Sequence, residues 1–287
     1  MKNRNWLIVS GSIILSLTLF YLIFFKVMPP LDSNGPSSFS SFYVVAFVIP
    51  VLIAPILEEV RFRGFLTNSK VLQGLFLLLT PLSLVLTGWN TPVFILMLIL
   101  YSLFFIYKYY HLPWVLDLLL IVSALFFSSH HLPTGVDFSW PWLPFLAISF
   151  SGALIFSWVI INKSFWWAVL FHGSWNLVLG IIFLFGLQFV SEDLKIIEAD
   201  NYKFEWKRVP FLDSNTGSYK PQGNTLIINN MNLQDILGIV DPSLLDSFVV
   251  AEPFMKYEIR FETQDGSELV KYDLIKVLEM DSLIIRR

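Results

Sequence analysis

Cysteine is absent from all 287 residues. That excludes disulfides, thiolate nucleophiles and cysteine-ligated metals. Charge is scarce, at 14% of residues, against about 25% in ordinary soluble domains. No His-Glu-x-x-His helix is present, so the i, i+4 histidine pair that pins a zinc ion in many proteases is missing. There is no internal repeat and no low-complexity segment, and nothing in the charge pattern points to nucleic acid.

What fills the chain instead is apolar. Hydrophobic residues make up 55% and aromatics 17%, with a mean hydropathy of +0.66, too greasy for a soluble domain of this length. The net charge of -3 hides an uneven distribution. Through residue 190 there are eight Lys/Arg against five Asp/Glu; beyond it there are eleven against seventeen. A sparsely charged part precedes an acidic, water-compatible part.

A spanning helix needs about 20 apolar residues. Candidate runs cover roughly 6–26, 42–60, 71–88, 92–108, 113–131, 143–161 and 165–190. Turn residues separate them: Pro29-Pro30 with Asn34-Gly35-Pro36, Gly88-Trp89-Asn90, Leu112-Pro113, Pro133-Thr134-Gly135 and Asn162-Lys163. The expectation is an all-α polytopic membrane bundle of about seven transmembrane helices over residues 1–190, followed by a small soluble α+β domain over 191–287. The first run is read as an uncleaved span, because Ile8 to Val27 exceeds a signal core and no small-residue cleavage pattern precedes Pro29. Lys2, Arg4, Arg61, Arg63, Lys70, Lys108 and Lys163 fall on one side if there are seven spans, with Lys26 snorkelling at the other. The N-terminus is then inside a plasma or inner membrane and the C-terminal domain outside, where an extracytoplasmic partner would meet it. In that domain Thr225–Ile228 and Tyr257–Glu262 read as strands. Asn232 caps a helix through Leu237, Asp241-Pro242-Ser243 starts another, Asp265-Gly266 turns, Ser267 caps a helix to about Glu279, and Leu283–Ile285 closes as a strand.

Two adjacent acids, Glu58 and Glu59, end the second apolar run. Ionisable groups at such a boundary are costly and mark sites. On a helix Glu59 and Arg63 share a face, four residues apart, while Glu58 lies about 100° around. The pattern suggests that Arg63 pairs with Glu59 and leaves Glu58 to act as a general base or acid. Arg61 is expected to snorkel toward headgroups. The plainer reading is a juxtamembrane cluster that only ends the span. Histidine adds to the picture. His111 sits in a polar connection and reads as solvated. His130 and His131 end the fifth run, where an interfacial pair is the plain alternative. His172 lies deep in an aromatic-rich span with Asn176 one turn on, and both need partners there.

Glu58-Glu59-x-x-x-Arg63, Phe127-x-x-x-His131 and His172-x-x-x-Asn176, in that order on three hydrophobic helices, resemble the CPBP family, which includes CAAX prenyl proteases and bacteriocin-processing or immunity-associated proteins. Ala54-Pro55-Ile56-Leu57 and Phe62-Arg63-Gly64 agree with the flanks, as does Ser123–Phe127 with His131-Leu132. A register of Phe126 to His130 also satisfies the bare spacing. The resemblance covers roughly residues 42–185 and omits the C-terminal domain. It implies an intramembrane endopeptidase acting on a membrane-associated peptide or protein. In it, Glu58 activates water with help from His131. Glu59 and Arg63 buttress the site, and His172 and Asn176 donate to the oxyanion. Family members are commonly labelled metalloproteases, so zinc stays open as a cofactor. Glu58, His131 and His172 would be its three ligands. The alternative from another class is a non-catalytic immunity or scaffold protein using the same cluster for helix packing.

Overall fold

The computed structural model describes residues 4–25, 44–86, 91–131, 140–199, 201–212, 216–250, 252, 254–264 and 271–286. Lys2, Lys26, the turns at 29–36, 88–90, 133–135 and 265–266, and the Ser267 cap lie outside the described residues. Two compact units are present. One contains α1 and Val48–Leu177; the other runs on from Val178.

The first unit is helical: α1 (Asn5–Phe25), α2 (Val44–Ile53 continuing as Ala54–Arg63, from Val48 on), α3 (Lys70–Leu86), α4 (Thr91–Tyr110), α5 (Pro113–Ser129), α6 (Leu143–Asn162) and α7 (Phe165–Gln188, as far as Leu177). Their outward faces are apolar: Leu17, Phe20 and Phe24 of α1 are each about two-thirds exposed (65%, 66%, 68%). Only a lipid phase tolerates that much bare hydrocarbon without aggregation. Hydroxyls in these helices bond back to their own turns, as Thr18 does to the Ile14 carbonyl and Ser157 to that of Ala153.

Every apolar run read from the sequence is helical, but the span count is lower than seven. Among the described residues, four helices are long and apolar enough to cross a membrane, or five if a bent pair counts as one span. That pair is Val48–Leu66 with Lys70–Val85, bent by 116°. The chain turns because the helix tightens to a 3₁₀ turn at Gly64–Leu66 and stops. Gly64 permits the tight return, since a Cβ there would sit 2.6 Å from the Leu72 carbonyl oxygen. Helix α5, at 17 residues, is also short for a span.

The first half of α2 is a π-helix containing Pro50, and Pro55 opens the α-helical half. The wider π turn accommodates a ring that would clash inside an α-helix. In i+5 geometry the Pro50 carbonyl would take its hydrogen bond from residue 55, another proline with no N–H. That carbonyl needs a donor from elsewhere.

The second unit is the small sheet-containing region expected at the C-terminus. A five-stranded antiparallel sheet has the order β1-β2-β6-β4-β3, with β1 Lys195–Ala199, β2 Tyr202–Val209, β3 Ser218–Gln222, β4 Thr225–Asn232 and β6 Lys256–Thr263. A separate ribbon pairs β5 (Phe248–Val250) with β7 (Ile284–Arg286). Alternation buries Tyr257, Ile259, Phe261 and Thr263 on one face of β6. They share a core with Phe204, Trp206, Leu226 and Ile228 and with α8 (Leu233–Val240) and α10 (Lys271–Met280), while α9 (Leu244–Ser247) is a single turn. Asn232 caps α8 by accepting from the Asp235 N–H at 2.8 Å. The β3–β4 hairpin closes on Gly223 at φ 60°, the first place of a two-residue loop where φ must be positive. Strands β1, β2, β3 and β5 are additional to the three expected, although Phe204 and Trp206 alternate inward on β2.

Candidate active site

The polar residues that stand out in the sequence come largely together. Glu59 and Arg63 are wholly buried (0% exposed) and paired at 2.5 Å along α2. Glu59 also accepts a hydrogen bond from Nδ1 of His172, on α7, at 2.9 Å. The opposite nitrogen of that ring, Nε2, stands 3.5 Å from Glu58, whose side chain is 27% exposed. His172 thus lies between the two acids, fixed by one and facing the other.

Packing holds this arrangement. Phe156 stacks on the His172 ring at 4.8 Å and 21°, and Phe127 meets its edge at 6.0 Å. The Arg63 guanidinium lies 4.7 Å from the Phe127 ring centre, a cation–π contact away from water. Ser123 donates to the Phe62 carbonyl at 2.7 Å, and Thr80 to the Arg61 carbonyl at 2.9 Å. These side chains from α5 and α3 satisfy carbonyls at the end of α2. They anchor the segment that carries the acids.

Helix α7 reaches α2 because residue 173 is glycine. A Cβ there would lie 2.5 Å from the Val51 carbonyl oxygen, closer than atoms allow. Three residues further on, Asn176 donates through Nδ2 to the Pro50 carbonyl at 2.7 Å. The donor that the two prolines deny this carbonyl is therefore supplied across the helix pair.

His131 remains outside the hydrogen-bonded cluster. It is exposed, its Nδ1 donates to the Phe127 carbonyl at 3.0 Å, and its ring lies 4.5 Å from that of Phe127. It makes no hydrogen bond to Glu58 or His172. His130 turns the other way, against Phe62 and Phe126 at 5.4 and 4.5 Å, with Nδ1 on the Phe126 carbonyl and a buried, unpartnered Nε2. Arg61 shares those two rings, 4.5 Å from Phe62 and 5.9 Å from Phe126. Its Nε and Nη2 are buried without a hydrogen-bond partner among the described residues, so the expected snorkelling to headgroups does not occur.

The zinc set does not assemble. Among the described residues no three His, Asp or Glu side chains are grouped to hold a metal ion. Glu58 and His172 Nε2 are adjacent, but His131, bonded to the Phe127 carbonyl, makes no bond to either.

Sequence reasoning paired Glu59 with Arg63 but missed the bond from Glu59 to His172 and the use of Asn176 on Pro50. Two signals for the helix crossing were present. Gly173 directly follows His172, and Pro50 and Pro55 stand five apart.

Residues 40–178 match the family model of type II CAAX prenyl endopeptidase Rce1-like proteins. Comparison with curated proteins and with solved structures gives no match. The matched stretch contains Glu58, Glu59, Arg63, His131, His172 and Asn176, and the similarity of residues 40–178 of this multi-pass chain to Rce1-like type II CAAX prenyl endopeptidases is consistent with the CPBP resemblance of the three motifs.

Proposed function

We propose that the protein is an intramembrane endopeptidase that hydrolyses a peptide bond of a membrane-associated peptide or protein with Glu58 as general base. The observation that carries this reading is the ordered chain Arg63–Glu59–His172, with Glu58 facing Nε2 of the imidazole. A carboxylate that fixes one ring nitrogen orients the other for chemistry. Of the two acids only Glu58 is partly exposed.

In this scheme Glu58 takes a proton from water as its oxygen attacks the scissile carbonyl carbon. His172, carrying protons on both ring nitrogens between the two acids, donates to the oxyanion through Nε2–H, and Asn176 does so through its second Nδ2 hydrogen, each such donor contributing about 3 kcal/mol. Glu58 then returns the proton to the leaving amine nitrogen as the C–N bond breaks. His131, at the end of α5, takes hold of the water through Nε2 only when substrate is present. The family description makes a prenylated CAAX-type peptide the first substrate to try.

The test is cleavage of a membrane-anchored peptide in ¹⁸O water by the purified full-length protein in lipid nanodiscs. Hydrolysis places one ¹⁸O in the new carboxylate. Absence of cleavage across anchored peptides, prenylated ones included, favours the packing-only alternative in which the cluster merely joins helices.

A further inference from the structure

A groove of about 330 Å³ runs along α6, closed at its sides by α1 and α7. We propose that it binds one acyl chain of an anionic glycerophospholipid from the surrounding bilayer, with the phosphate at Lys163. This site is separate from the proteolytic reading and does not depend on it.

The floor is a single stripe of α6: Ile148, Gly152, Ile155, Phe156 and Val159, with Lys163 at its end. Their spacing of three and four places them on one helix face. From Ile148 to Lys163 the stripe rises about 22 Å at 1.5 Å per residue, enough to cross one leaflet of hydrocarbon, about 15 Å deep. The stripe is apolar throughout except at Lys163, and no carboxylate lines the groove. Charge at one end and hydrocarbon along the rest is the outline of a phospholipid with one chain inserted.

A peptide is a poor occupant, since the lining gives its backbone amides almost nothing to bond. Gly152 keeps the floor low: a Cβ there would meet only the Phe156 ring, at 3.7 Å. The groove is also next to the polar cluster without opening into it, because Phe156 lines it and stacks on His172 at 4.8 Å. An inserted chain therefore packs behind the ring that backs His172.

The experiment equilibrates the purified full chain with equal amounts of phosphatidylglycerol and phosphatidylcholine and counts retained lipid by native mass spectrometry. The wild type is expected to keep phosphatidylglycerol about fivefold over phosphatidylcholine, the preference one lysine at an anionic headgroup supplies. Lys163→Gln abolishes that preference. Gly152→Leu, whose side chain fills the floor, lowers total retained lipid to half or less at unchanged helical content. Ile148→Trp repeats the block from the far end, should Gly152→Leu not fold. The proposal is overturned if a folded blocked variant retains lipid as the wild type does, or if the preference persists in Lys163→Gln. Displacement of the lipid by a prenylated peptide would equally overturn it, making the groove part of a substrate site.

Discussion

Glu59 accepts a hydrogen bond from His172 Nδ1 across 113 residues of chain. The second acid of the pair is thereby the one that orients the imidazole, and Nε2 is turned toward the first acid, Glu58, at 3.5 Å. Arg63 completes the chain from behind. Two neighbouring carboxylates on one helix thus have different surroundings, one sealed between two nitrogen groups and the other partly exposed.

Because Glu59 and Arg63 are sealed, breaking the pair from one side is costly. Arg63→Met leaves a buried carboxylate facing only His172 and is expected to destabilise the protein by about 3–5 kcal/mol. Replacing both, as Glu59→Leu with Arg63→Met, should cost less than the two single changes combined. Denaturant unfolding of the four proteins in mild detergent measures this coupling. Simple additivity would mean that the pair does not act as a unit.

Gly173→Ala should be disproportionately harmful for one methyl group. Its Cβ would meet the Val51 carbonyl at 2.5 Å, so α7 must move away from α2, carrying His172 and Asn176 with it. Activity is expected to fall at least 100-fold, since an ångström of misplacement costs that much. Gly186→Ala on the same helix, where nothing lies within 4 Å, is the control and should behave as wild type.

How much of this was readable beforehand follows from the contrast between residues and their setting. Glu58, Glu59, Arg63, His172 and Asn176 are conspicuous because each interrupts an apolar run, and the helical register alone pairs Glu59 with Arg63. The number of spans was less legible. Counting apolar runs treats each as a crossing, whereas the close approach of Gly64 to Leu72 folds two of them into a pair bent by 116°. The direction of Arg61 was hidden for a similar reason: two phenylalanine rings from α2 and α5 offer it a seat that no linear pattern reveals. In the C-terminal region, β4 and β6 were legible by alternation, while β1 is an exposed edge strand with little apolar pattern to see.

The C-terminal region has its own pH dependence. The Tyr257 hydroxyl donates to Glu252 at 2.7 Å, and Glu252 is held by Arg208 through two bonds. Burial, and then the negative charge of Glu252, raise the Tyr257 pKa above its ordinary value near 10. A raised folded-state value means that the stabilisation is full below pH 10 and is lost as pH climbs beyond it. Protease resistance of this region in the full-length protein should therefore drop above about pH 10. Tyr257→Phe should flatten that decline while costing about 1 kcal/mol at neutral pH. An unchanged alkaline decline in Tyr257→Phe would assign it to other groups.

The side on which the C-terminal region lies depends on whether the span count is odd or even. With the bent pair as one span there are five, which puts the two ends on opposite sides. The natural absence of cysteine makes single-cysteine labelling free of background. Lys220→Cys is expected to react with a membrane-impermeant maleimide on intact cells, and Lys2→Cys only after lysis. Labelling of both only after lysis would place the tail inside.

The most direct test of the account is the kcat/KM of Glu58→Gln on a cleavable anchored peptide, compared with wild type at equal helical content and melting temperature. A general base contributes about 10²- to 10⁴-fold, so a loss in that range is expected with the Glu59–His172 bond intact. A folded Glu58→Gln protein that cleaves at the wild-type rate would contradict it.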